Sequence, residues 1–86
     1  MSDVVIYTTR TCPYCMRAKQ LLNSKGVSYR EIAVDGKPEL RQEMSRKSRR
    51  DTVPQIWIGT THVGGCDDLY LLERRGELDS LLATVQ

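Results

Sequence analysis

The sequence predicts an α/β fold built on one four-stranded mixed sheet, with elements in the order β-α-β-α-β-β-α. Three observations carry that expectation. A short apolar run, an amphipathic segment and a second strand-like run succeed one another within the first 34 residues, which is a βαβ unit. Two short strand-like runs around Gly59-Thr60-Thr61 then read as an antiparallel hairpin. Helical spacing of leucines follows, opening on two acidic residues.

The first run, Val4 to Thr8, has consecutive apolar residues, as a parallel strand covered on both faces requires. Thr9-Arg10-Thr11 is a loop, with Thr11 the expected N-cap and Pro13 tolerated in the first helical turn. Tyr14, Ala18, Leu21 and Leu22 then recur at helical spacing, and Gly26 suits the helix end. A strand is expected over Val27 to Val34, with a right-handed crossover to the first. Asp35-Gly36-Lys37-Pro38 turns into a second helix, whose apolar stripe is only Leu40 and Met44. The hairpin pairs Gln55-Ile56-Trp57-Ile58 with His62-Val63-Gly64. Asp67 and Asp68 lie in the first turn of the helix after it, where negative charge is favoured. Leu69, Leu71 and Leu72 are expected to face inward from that helix, and Leu78, Leu81, Leu82 and Val85 to form a short packed C-terminal helix.

Eighty-six residues are expected to form one domain over 1–86, burying roughly 60–65% of the unfolded chain's surface. A net charge of +2 is too small to argue for nucleic acid or a membrane, and five aromatics without a Phe make no base-stacking platform. Three cysteines are an odd number and too few for a secreted disulfide scaffold. Met1-Ser2-Asp3 runs straight into the first strand, with no readable signal peptide and no membrane-spanning run. The expected setting is a reducing cytoplasm, where Cys-x-x-Cys is catalytic or metal-binding.

Three segments carry chemistry. Cys12-Pro13-Tyr14-Cys15 puts two thiols one helical turn apart at a strand-to-helix junction, where unpaired N–H groups favour a thiolate. Cys12 is then the nucleophile and Cys15 the resolving thiol, with Arg10 adding positive charge; a metal half-site or two helix cysteines without a joint role are the other readings of the pair. Thr52-Val53-Pro54 is either an ordinary strand entry or a cis turn, since proline would interrupt a central ladder. In Gly64-Gly65-Cys66-Asp67-Asp68 the glycines admit a ligand backbone and the helix start can hold a carboxylate; a plain turn with a capping Asp fits equally.

Together, Cys12-Pro13-Tyr14-Cys15, Thr52-Val53-Pro54-Gln55 and Gly64-Gly65-Cys66-Asp67-Asp68-Leu69 resemble the signature segments of the dithiol glutaredoxins, in order and at compatible separations. The resemblance implies a thioredoxin fold and reduction of protein disulfides and glutathione mixed disulfides by glutathione, itself regenerated by NADPH and glutathione reductase. It implies a cis peptide before Pro54, a Val53 backbone that pairs with the glutathione cysteinyl unit, and a γ-glutamyl end held by Asp67 and the N–H groups of Cys66 and Asp67. Arg10, Tyr14, Thr52 and Gly65 complete the expected glutathione-binding set. The partners implied are glutathione and disulfide-containing or glutathionylated proteins, with no metal, nucleic acid or membrane, and a monomer is expected. One departure stands out: the family usually carries a lysine three residues before the nucleophile, and here that position is Thr9. Arg10 is the expected substitute at the glycyl carboxylate, with Arg41 and Arg49 as further candidates.

The basic segment Arg41 to Arg50 would attract an anionic tripeptide, or is simply a solvated helix face. Cys66 needs no role beyond a small buried apolar residue. Two other functions fit the same residues. Cys12, Cys15, His62 and Cys66 have the right number and type of ligands for zinc, or a glutathione-bridged iron–sulfur cluster could form. A thioredoxin-like reductase served by a flavoprotein is the third.

Overall fold

The computed structural model describes residues 3–85, so the reading of Met1 and Ser2 lies outside it. Strand β1 (Val4–Thr8) occupies the middle of a sheet ordered β2-β1-β3-β4. It pairs in parallel with β2 (Arg30–Ala33) and antiparallel with β3 (Gln55–Ile58), which turns back into β4 (Thr61–Gly64). Helix α1 (Pro13–Ser24) makes the crossover, α2 (Pro38–Ser48) links β2 to the hairpin, and α3 (Cys66–Arg74) and α4 (Leu78–Ala83) close the chain. The sequence reading of the sheet and its helices therefore holds.

Alternation along β1 and β3 divides the core between the two faces. Val4, Ile6, Ile56 and Ile58 face α1, α3 and α4, where Leu22, Leu69, Leu78 and Leu82 pack against them. On the other face Tyr7 joins Val34 and Met44, with Leu40, Val53 and Trp57 partly buried around them. The second layer is thin, as the sparse apolar stripe of α2 foretold.

Three local expectations give way. The ladder of β2 covers only Arg30–Ala33. Val27 and Tyr29 still pack on the larger core cluster, and Val34 is buried on the other face, so apolar contact outruns hydrogen-bonded pairing there. Leu71 is exposed rather than inward-facing. It lies two residues from buried Leu69, about 200° around the helix, so the two point to opposite sides. The N-cap of α1 is Cys12 and not Thr11, with φ −89° and ψ 111°. Proline disfavours helical backbone in the residue before it, and Pro13 as first helical residue therefore makes Cys12 the cap.

Candidate active site

Capping brings the first cysteine to the chemistry. The Cys12 sulfur accepts the Cys15 N–H at 3.3 Å and stands 3.6 Å from the Val53 carbonyl, on which its thiol donates. A sulfur at a helix N-terminus, with an N–H aimed at it, sits where negative charge is favoured. Cys12 is half-buried, while Cys15, in the first turn of α1, is fully buried. Burial above all, reinforced by the Cys12 thiol beside it, pushes the Cys15 thiol up to about 12. Both are free thiols. The two sulfurs are thus chemically unequal: one reachable and capped, the other withheld from solvent and held protonated.

Next to Cys12, and reached through Val53, is a groove of about 320 Å³ lined by Tyr14, Thr52, Val53, Pro54, Gly65, Cys66 and Asp67. The Val53–Pro54 peptide is cis. At the far end Gly64 has φ +114°, and a side chain there would collide with the Asp68 carboxylate. That carboxylate accepts the Gly65 N–H at 2.9 Å and pairs with Arg50 Nη1 at 3.0 Å. The Gly65 N–H foremost, and Arg50 after it, hold Asp68 below the usual carboxylate range.

Of the residues the sequence singled out, Tyr14, Thr52, Val53, Pro54, Gly65, Cys66 and Asp67 all line this groove. Arg10 does not. Its N–H donates to Asp35 at 2.9 Å, and its charge falls on the same carboxylate. Arg41 donates to the Asp51 carbonyl at 2.9 Å, and Arg49 ends α2 in the left-handed region. Two further residues line the groove, Arg50 and Asp68; the sequence reading places them only within the basic segment and the glycine-rich motif, and not as a pair. An ion pair across 18 positions leaves no local pattern, although Gly65 and Asp68 stand at capping-box spacing. Cys66 is buried within the larger core cluster, and that burial raises its thiol. His62 bonds Gln55 at 2.8 Å and stacks on Trp57. Among the described residues no three His, Cys, Asp or Glu side chains come together as a metal site. Nor, among them, is any helix long and apolar enough to cross a membrane.

The glutaredoxin family profile matches residues 4–63. The chain belongs to the glutaredoxin family. A glutaredoxin of Pseudomonas aeruginosa is 70% identical over 83 residues, covering 96% of this chain and 99% of the relative. The solution structure of glutaredoxin from Brucella melitensis shares 61% identity at a TM-score of 0.83, covering 95% of this chain and 89% of the other. A buckwheat glutaredoxin–glutathione complex superposes with a TM-score of 0.89 at 29% identity, over 95% of this chain and 77% of its own. The protein is accordingly a dithiol glutaredoxin with the thioredoxin fold, and a thiol–disulfide oxidoreductase.

Proposed function

We propose that this glutaredoxin reduces glutathione mixed disulfides and protein disulfides at the expense of glutathione, with Cys12 as nucleophile and Cys15 as resolving thiol. The observation that carries the reading is the position of the Cys12 sulfur: it caps α1 and stands beside the Val53 carbonyl at the edge of the groove. Support for glutathione as the ligand comes from the relative whose structure holds it. The groove has a matching set of groups: backbone at Val53, and, where α3 begins, helix N–H groups, the Asp67 carboxylate and the Arg50 cation paired with Asp68. Arg50 lines the groove and Arg10 does not, so Arg50 rather than Arg10 is the cation offered to a carboxylate of the bound tripeptide.

The steps are exchanges of sulfur for sulfur. Cys12 thiolate attacks the glutathione sulfur of a glutathionylated protein; a Cys12–glutathione disulfide forms and the protein thiolate leaves. A second glutathione thiolate attacks that glutathione sulfur, forming glutathione disulfide and restoring Cys12. With a protein disulfide, Cys12 attacks first and Cys15, giving up its proton, displaces the second protein thiolate. Two glutathiones then reduce the Cys12–Cys15 disulfide, and NADPH with glutathione reductase recycles the oxidised tripeptide. The protein acts as a cytoplasmic monomer of one domain spanning residues 1–86.

The deciding measurement is NADPH-linked reduction of a glutathione mixed disulfide with glutathione and glutathione reductase present. Cys12→Ser is expected to abolish turnover, whereas Cys15→Ser keeps deglutathionylation and loses reduction of protein disulfides. Full activity of the Cys12 variant would overturn the assignment. Turnover with thioredoxin reductase alone, without glutathione, would replace glutathione as the donor.

A further inference from the structure

Gln55 opens β3 with a wholly buried polar side chain. A buried amide is tolerated only when both its ends are bonded. Its Nε2 donates to the Thr52 carbonyl at 3.0 Å and lies 3.4 Å from the Thr52 hydroxyl. Its Oε1 is 2.8 Å from His62 Nε2. A carbonyl can only accept, so the amide NH₂ of Gln55 must point at Thr52 and its oxygen at His62. His62 Nε2 then carries the proton and donates it to that bond. The imidazole is steadied in turn by Trp57, with ring centroids 4.6 Å apart and planes 32° from parallel. Tyr7 meets the other ring edge-on at 5.4 Å. One continuous chain of contacts therefore runs from the sheet core through His62 and Gln55 to Thr52. The next residue, Val53, presents the carbonyl that the Cys12 thiol reaches.

We propose that His62 is a positioning residue for the glutathione groove: its N–H to Gln55 holds the Thr52–Pro54 segment in the conformation that presents the Val53 backbone to the cysteinyl unit of glutathione. The inference rests on the glutathione reading above. The charged groups that act on the imidazole, Arg50 and Asp68, are themselves lining residues of the groove. Burial first, then Arg50, hold His62 below the usual histidine range, with Asp68 opposing. The ring is thus neutral near pH 7, and its donor nitrogen is set by Gln55 rather than by charge. His62 and Gln55 act through Thr52, so the effect falls on binding rather than on the exchange step.

The test compares wild type with His62→Leu, His62→Gln and His62→Asn, assayed with a glutathionylated cysteine peptide at fixed glutathione. Leucine fills space without a donor. Glutamine places an amide N–H near the Nε2 position, and asparagine is too short to reach it. The expected result is KM for the mixed disulfide raised about 5-fold or more in the Leu and Asn variants, kcat within about 2-fold, and KM restored by Gln. Equal KM in all four proteins would overturn the proposal, as would a Gln variant as impaired as Asn, because packing alone would then account for His62. If the Leu variant does not fold, the Gln–Asn comparison carries the same decision. A wild type without saturable turnover of the mixed disulfide would remove the glutathione reading and this inference with it. Active wild type with unaltered variants removes this inference alone.

Discussion

Arg49 ends α2 with φ 59° and ψ 25°, a left-handed conformation that glycine enters freely and other residues enter at a cost of roughly 1–2 kcal/mol. Its N–H closes the helix on the Ser45 carbonyl at 2.7 Å, and its positive φ then turns the chain away from the helix. Replacing it by glycine relieves the strain but adds freedom to the unfolded chain, worth about 0.4–1 kcal/mol the other way. Arg49→Gly is therefore expected to stabilise the protein by about 0.5–1 kcal/mol, read as a higher midpoint in urea with an unchanged slope. Residues of this kind show where sequence reading stops. That Val53, Pro54, Gly65 and Asp67 come to one groove was legible because they stand in short local motifs that resemble a family's signature segments. Arg50 with Asp68, and His62 with Gln55, were not, because each pair is joined by tertiary geometry across 18 and 7 positions.

Among the elements, α3 depends most plainly on a charge. Asp68 accepts the Gly65 N–H and faces Arg50, and both keep it ionised below its ordinary value of 3.8. A carboxylate depressed in the folded state adds stability above its unfolded pKa and loses it as pH falls through the folded one. Asp68→Asn is expected to lower the melting temperature at pH 7, and the gap from wild type should close as pH falls below about 4. Parallel melting curves at every pH would count against this account. Glu31 adds to the same acid limb: the Thr8 hydroxyl, then Lys19, hold it below the usual range. The elements themselves were readable from periodicity wherever a helix or strand buries one regular face. β2 was overread because Val27, Tyr29, Ile32 and Val34 are apolar in two phases, and only four residues of that stretch enter the ladder.

For the whole molecule, the unequal layers matter most. The face with α1, α3 and α4 holds the larger cluster, further tied by Lys25, which pairs with Glu73 at 2.7 Å and Asp79 at 3.0 Å. The α2 face hangs on Met44, Tyr7 and Val34. Met44→Ala should cost about 2–5 kcal/mol, the usual range for emptying a fully buried site. Its signature would be faster amide hydrogen exchange in α2 than in α1, since local opening follows the thinner packing. Uniform acceleration throughout the chain would mean that the two faces unfold as one.

The sulfur that begins α1 also has a bearing on how an inactive protein is to be understood. Serine is among the preferred helix N-caps, whereas alanine at such a position forfeits about 1 kcal/mol. Exchanging oxygen for sulfur at position 12 thus leaves an acceptor for the Cys15 N–H in place while removing the reactive atom. Silence in Cys12→Ser reports lost chemistry on an intact scaffold; silence in Cys12→Ala would mix the two. The serine form is accordingly the cleaner bait for holding ligands that the native protein would turn over.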